Sequence, residues 1–303
     1  MTSRIAITGS TGLIGEALIA SLTADGHTIH RVVRDPAKAG PTDVVWDLGS
    51  RTIEAAKLEG VDAVVHLAGE PIGEGRGADA KRRILDSRRV GTELIAEAVA
   101  GLTDKPSVLV SASGVGIYGD RGDEPLTEAA SAGDDFIARV CVAWEAATAP
   151  AEDAGIRVVH PRTGVVIAQG GPLIDKIDLP FKLGVGGKIG NGRQYVPWIS
   201  LVDEVRAIRF LIDGDLAGPV NLVGPQPVTN QELTKALGQV YRRPTVLPVP
   251  PIAIRLLYGD IAELLATVSQ RVIPQKLFDA GFTFEHATLL AAASAALASD
   301  SSR

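Results

Sequence analysis

The chain predicts an α/β fold, a doubly wound parallel sheet with a smaller C-terminal lobe, on three observations. Ile5-Ala6-Ile7-Thr8 is a short apolar strand running directly into Gly9-Ser10-Thr11-Gly12-Leu13-Ile14-Gly15, after which Ala17, Leu18, Ile19 and Leu22 recur at helical spacing. Strand-like and helical runs then alternate as far as Val166, the pattern that lays a parallel sheet between two layers of helices. Beyond Val166 the texture changes to glycine- and proline-rich segments, which reads as a lobe over the carboxyl edge of the sheet.

Each element has its own reason. A glycine turn between strand and helix lets the backbone bend sharply and approach a pyrophosphate, and the amides and dipole of the helix N-terminus favour its charge. Glycines also make plain turns; the flanking strand and helix favour the dinucleotide reading. Residues 28–33, 44–46, 63–67, 108–111 and 157–160 read as further strands, and 80–100 and 135–154 as helices. Residues 1–166 are thus expected to form a Rossmann-type dinucleotide-binding domain, completed by about 196–223, with 167–303 mainly a substrate lobe and C-terminal helical segment. In the lobe, 184–192 is a glycine-rich loop, 244–251 holds four prolines, 291–298 is an alanine-rich helix and 299–303 a loose tail. The stretches 251–265 and 287–297 are apolar enough to pack on the sheet domain, and with the loop 184–192 they are expected to close over the nicotinamide end.

Composition narrows the function. A chain of 303 residues, 46% hydrophobic, can bury a large core. The net charge is −6 and no basic stretch tracks a phosphate backbone, so no nucleic-acid partner is expected. The single cysteine, Cys141, rules out an intramolecular disulfide and fits a reducing compartment. No charged-then-apolar leader and no apolar run near the ~18 residues of a membrane span stand out, so a cytoplasmic location without a membrane partner is expected.

Cofactor choice falls at the end of the second strand. An acidic residue ~20 positions beyond the glycines bonds a ribose 2′-hydroxyl, whereas an arginine accommodates a 2′-phosphate. That neighbourhood holds Arg34 and Asp35, with Arg31 just before, and Arg34 favours NADP. The competing reading makes Arg34 a solvated strand-end charge and gives the ribose to Asp35. Leu67-Ala68-Gly69, a small-residue turn after a strand, is expected under the ribose and pyrophosphate.

Several segments together resemble the extended branch of the short-chain dehydrogenase/reductase superfamily: the Gly9, Gly12, Gly15 spacing, His66-Leu67-Ala68-Gly69-Glu70, Ser111 to Gly119, Gly133-Asp134-Asp135-Phe136, Trp144-Glu145 and Gln270-Arg271-Val272-Ile273-Pro274. Within it the chain is similar to the nucleoside-diphosphate-sugar epimerase-like oxidoreductases that carry an extra C-terminal segment. The resemblance implies that Asp47 and Leu48 contact adenine, that Arg88 stands where relatives often keep an asparagine beside the cofactor, and that Ser113 bonds a substrate oxygen. For Arg88 the plainer alternative is a solvated helix arginine, and for Ser113 a turn-stabilising hydroxyl.

The superfamily generally uses a tyrosine with a lysine four residues on, one helical turn away, so that the ammonium lowers the phenol pKa. Here Tyr118, Tyr195, Tyr241 and Tyr258 are followed at that offset by Gly122, Ile199, Thr245 and Ala262. Anchoring on Trp144-Glu145 puts the catalytic stripe on Ile137 and Cys141, which cannot transfer that proton. Ser113 and Tyr118 remain as catalytic candidates, Tyr118 as a phenol reaching the pocket or a packed loop residue. Glu70 is a weaker carboxylate candidate, Cys141 reads as a core thiol, and the histidines show no metal spacing. The expected function is an NADP-dependent oxidoreductase or epimerase-like enzyme acting on a small carbonyl compound or a sugar nucleotide. The alternatives are a non-catalytic dinucleotide-binding redox sensor or partner-docking protein, and a hydrolase or lyase on the same fold; the last lacks a Gly-x-Ser-x-Gly elbow.

Overall fold

A computed structural model describes residues 2–72 and 77–298. The first strands are β1 (Arg4–Thr8), β2 (Thr28–Val33), β3 (Val44–Asp47), β4 (Thr52–Ile53), β5 (Ala63–His66), β6 (Val108–Ser111) and β7 (Ser113–Gly114). With Arg157–Thr163 and Gly218–Leu222 they form one sheet, in the order Gly218–Leu222, Arg157–Thr163, β6, β5, β1, β2, β3, β4, while β7 pairs with Arg157–Thr163 off this path. Every pair is parallel except β3 with β4. From β1 the chain winds out through β2 and β3, then returns to β5 on the other side. The strand order therefore reverses between β1 and β5, and their carboxyl ends flank the crevice where such sheets bind ligands.

Alternation along the strands explains the two cores. Ile5 and Ile7 point to one face, with Leu18 and Leu22 of α1 (Leu13–Ala24) and Ile208 and Leu211 of α6 (Leu201–Asp213). Ala6 points to the other, with Leu94, Ile95 and Val99 of α2 (Gly77–Ala100). The single helix expected over 135–154 is two, α3 (Phe136–Ala146) and α4 (Ala149–Asp153). Pro150 has no amide to continue the ladder, and the Thr148 hydroxyl donates to the Glu145 carbonyl at the break. Asp135 caps α3 by accepting from the Ala138 amide.

The lobe has its own core, in which Phe181 of α5 (Pro172–Lys182), Leu233 and Leu237 of α7 (Asn230–Tyr241) and Ala292 and Ala293 of α11 (Leu289–Ala298) surround Trp198. This corrects the expectation for 287–297, which packs within the lobe rather than on the sheet domain. The stretch 251–265 divides: α9 (Asp260–Thr267) buries Ile261 in a cluster with Ile84 and Tyr118, while α8 (Pro251–Tyr258) buries nothing and leaves Leu256 and Leu257 about 70% exposed. Arg271–Val272 pairs with Pro125–Leu126, so the chain returns from the lobe to brace the loop after β7. The short α10 (Gln275–Asp279) follows. The tail expected at 299–303 lies outside the described residues, among which no helix is long and apolar enough to cross a membrane.

One buried acid gives the fold a pH signature. Glu204 of α6 is 1% exposed, accepts a hydrogen bond from Thr163 Oγ1 at 2.8 Å, and leaves Oε2 unbonded among the described residues. Burial raises its carboxyl from 4.5 to about 8. The folded chain holds this proton over a range where the unfolded chain has released it, so stability declines from pH 4.5 to about 8. The slope is at most about 1.4 kcal/mol per pH unit. In thermal melts across this window Glu204→Gln is expected to gain on the wild type as pH rises; parallel curves would show that Glu204 is ionised in the fold.

Candidate active site

The glycine turn joins β1 to α1 at the strand-order reversal. Gly9 has φ +67°, a left-handed conformation that favours glycine, and a Cβ there would stand 2.8 Å from the Leu67 carbonyl carbon. A Cβ on Gly15 would overlap the Gly9 carbonyl. Gly12 is different: a Cβ would meet only the Gly9 oxygen, at 3.4 Å, in ordinary contact. Gly9 and Gly15 are thus required by the protein itself, whereas Gly12 caps α1 with room beside it. Ser10 is buried, Leu13 and Ile14 are half-buried and Thr11 is exposed. Thr8 ties the turn to the next loop: the Leu67 and Ala68 amides donate to its Oγ1 at 3.0 and 3.1 Å, and His66 Nδ1 lies 2.8 Å away. Burial lowers His66 to about 3, so this buried ring is neutral.

At the end of β2 the three charges divide. Arg31 forms an ion pair with buried Asp43, and Asp35 caps its own short turn by accepting from the Ala37 amide at 3.0 Å. Arg34 is exposed and makes no hydrogen bond or ion pair among the described residues. Asp47 accepts from Ser50 Oγ and the Gly49 amide, both at 2.8 Å; the Ser50 bond chiefly holds its carboxyl below the usual range. Leu48 is half-buried against the core beside Trp46.

Farther along the carboxyl edge lies a buried polar network. Ser113 Oγ donates to Glu145 Oε1 at 2.7 Å, and Arg162 grips the same carboxylate through Nε and Nη2, both at 2.8 Å. Arg162 Nη1 donates to the Tyr118 hydroxyl at 3.0 Å, which donates to Asn221 Oδ1 at 2.6 Å. The Asn221 amide donates to Glu128 Oε1 at 3.0 Å. Burial alone would raise Glu145, but the bonds from Arg162 and Ser113 outweigh it and keep the carboxylate ionised. Tyr118 is fully buried with both its donor and an acceptor position engaged, so the expectation of a phenol reaching the pocket is corrected: Tyr118 holds Arg162 in place. Sequence reasoning missed Arg162, Asn221 and Glu128; an arginine just past the strand expected at 157–160, in a parallel sheet covered on both faces, was the available signal for Arg162.

The inner face of α3 is apolar. A Cβ on Gly116 would run into Ile137, and one on Gly114 would lie 3.9 Å from Cys141 Sγ, so the expected stripe does face the loop after β6 but offers neither phenol nor ammonium. Burial, with Glu145 nearby, pushes the Cys141 thiol up to about 12, which makes it an unreactive core group. Arg88 is 6% exposed and stacks on Trp144 with its Cζ 4.7 Å from the ring centre, which excludes the solvated-helix alternative. Glu70 anchors its backbone to Ser87 and Arg88, and its carboxylate is 3.7 Å from Arg83. No cluster of metal-ligating side chains occurs among the described residues. A cavity of about 560 Å³ opens beside the Tyr118 loop, lined by Asp120, Asp123, Asn191, Arg193, Gln194 and Ser269 among others. One wall is the 184–192 loop, braced where the Val249 amide donates to the Lys188 carbonyl at 2.8 Å.

Known proteins share this fold. Residues 5–223 match the NAD dependent epimerase/dehydratase family, and 249–296 match a domain of unknown function, DUF1731. An epimerase family protein of Mycobacterium bovis, Mb2239, is 45% identical over 287 residues, 94% of each chain. The crystal structure of human epimerase family protein SDR39U1 with NADPH superposes with a TM-score of 0.88 at 31% identity, covering 97% of this chain and 98% of that one. A nucleoside-diphosphate sugar epimerase from Corynebacterium glutamicum gives a TM-score of 0.82 at 38% identity, over 98% of this chain and 58% of that one. With its glycine turn at the crevice and its match across the whole sheet, this chain belongs to the NAD dependent epimerase/dehydratase family.

Proposed function

We propose that the protein is an NADP(H)-dependent oxidoreductase or epimerase-like enzyme whose substrate oxygen is met by Ser113. The observation that carries this reading is the Ser113–Glu145 hydrogen bond on the same carboxyl edge as the glycine turn. A hydroxyl that donates to a carboxylate turns its lone pairs outward, so Ser113 can accept the proton of a substrate hydroxyl while passing its own toward Glu145; the reverse transfer serves a carbonyl. The ionised state of Glu145 favours the proton-accepting direction.

The residues present fit the cofactor. The space beside Gly12 admits a pyrophosphate against the α1 amides, Leu67, Ala68 and Gly69 flank it, and Asp47 and Leu48 stand at the adenine end. Unpartnered Arg34 suits a 2′-phosphate, since Arg31 and Asp35 are engaged locally. The related human protein is crystallised with NADPH, which supports the same choice here. When bound, the nicotinamide supplies hydride transfer. The cavity walled by Asp120 and Arg193 would take the remainder of a small-molecule substrate. The apolar stripe of Ile137 and Cys141 favours a second reading, a dinucleotide sensor without turnover.

Arg34→Ala is expected to weaken NADPH binding about ten- to a hundredfold, with NADH unchanged, in fluorescence titrations. Equal losses for both cofactors would return the ribose to another residue. Gly12→Val should fold with a near wild-type melting curve and lose cofactor binding, whereas Gly15→Val should lose stability because its side chain collides with the turn. The function itself is tested by NADPH oxidation against carbonyl compounds and sugar nucleotides, and by the reverse reaction with the corresponding alcohols. Ser113→Ala should lower turnover about 10²–10⁴-fold. Wild-type rates in that variant would remove Ser113 from the mechanism, and tight NADPH binding with no turnover on any substrate would favour the sensor.

A further inference from the structure

Arg88 is a buried charge with no ion-pair partner among the described residues. Its guanidinium folds inward from α2, and Nη1 donates to the carbonyls of Glu70 and Ile84 at 2.8 and 3.2 Å. Nε is buried without a hydrogen-bond partner. Nη2 makes no hydrogen bond among the described residues, yet it is not one of the sealed atoms and stays open to solvent. No described carboxylate comes within ion-pair distance: Glu70 turns to Arg83, and Glu145 is held from two sides by Arg162. Burial brings Arg88 down to about 10, so it remains a cation at neutral pH.

Gly69 keeps this cation uncovered. A Cβ at Gly69 would lie 3.3 Å from Arg88 Cζ and 3.4 Å from Nη2, so a side chain there would press on the open edge of the guanidinium. Gly69 is itself exposed at the carboxyl end of β5, one residue beyond the Leu67–Ala68 peptide that Gly9 packs against. On its other side Arg88 stacks on Trp144, the residue before Glu145, whose carboxylate accepts from the Ser113 hydroxyl. The guanidinium is thereby connected on one side to the loop after β5, against which the cofactor turn packs, and on the other to the helix that holds Ser113. The Glu145 carboxylate is taken up by Arg162 and is not the partner of Arg88.

A desolvated cation without a counter-ion is costly unless an anion joins it, and a guanidinium edge is suited to a carboxylate. We infer that Arg88 recognises a carboxylate on the substrate, so that the substrate is an anionic carbonyl compound, or its alcohol, charged close to the reacting carbon. The charge follows from Arg88 alone; the word carbonyl rests on the oxidoreductase reading.

The test uses the full chain, with and without saturating NADPH, titrated calorimetrically with oxamate and with its neutral ester, ethyl oxamate. Wild type is expected to bind oxamate at least about tenfold more tightly than the ester. Arg88→Met should abolish that preference without NADPH as well as with it, and Arg88→Lys should restore part of it. Gly69→Ala, which keeps the charge and covers its edge, should weaken oxamate as well, and it carries the test if Arg88→Met melts before it can be titrated. The inference is overturned if oxamate and its ester bind alike, if oxamate binding survives in Arg88→Met, or if that variant loses NADPH instead, which would make Arg88 a cofactor ligand. Reduction of neutral aldehydes without oxamate binding would overturn it and leave the oxidoreductase reading standing. Failure of NADPH to bind would strike that reading alone, because the cofactor-free titration still reports on Arg88.

Discussion

Arg162 and Glu145 meet through two nearly equal hydrogen bonds where the strand Arg157–Thr163 faces α3, and the buried polar network of the carboxyl edge is arranged around that contact. Either charge alone would be intolerable at this depth; removing one partner of such a pair typically costs about 3–5 kcal/mol. Paired, each keeps one bonding capacity over. Glu145 uses its own to orient Ser113, and Arg162 uses its own to hold Tyr118. Through Tyr118 the network reaches Asn221 on the outermost strand, whose side chain donates to the Ile273 carbonyl at 2.9 Å. One contact thereby binds α3, two strands and the returning C-terminal segment into a single rigid support.

That pairing also determines which charge the cleft can use. Because the pair is neutral as a unit, and because the buried thiol of Cys141 stays protonated, α3 presents no net charge to the cleft. In the proposed reaction, proton handling passes to the Ser113 hydroxyl, which Glu145 orients from the next turn of the same α3 stripe. The field passes to Arg88, whose stacking on Trp144 fixes it from below while the missing side chain of Gly69 frees it from above.

The glycine turn separates folding from binding within seven residues. Gly9 and Gly15 are needed because β1, the loop after β5 and the start of α1 approach too closely for any Cβ. Gly12 meets no such crowding, so nothing within the described fold demands its small size. Thr8 sets the closeness by accepting two amides from the neighbouring loop, which pins the two sides of the crevice together.

The sequence by itself determined the doubly wound sheet, the dinucleotide turn and the absence of a tyrosine–lysine pair, because each is written in short-range periodicity or in fixed spacing along the chain. It also placed Ile137 and Cys141 correctly on the inner face of α3, since helical spacing carries over from residue to residue. Tertiary structure alone decided the rest. Tyr118 became a buried support and Arg162 its partner because residues 44 apart in the chain meet in one hydrogen bond, a convergence that no local pattern encodes. The same holds for Arg34: its lack of an ion-pair partner among the described residues depends on Asp43 taking Arg31 and on Asp35 accepting from the Ala37 amide, which are choices of geometry among neighbouring charges. The apolar stretch of α8 read as core, yet the lobe closed its own core around Trp198 and left that helix outside, because hydrophobicity records what can be buried and only the packing of other elements settles what is.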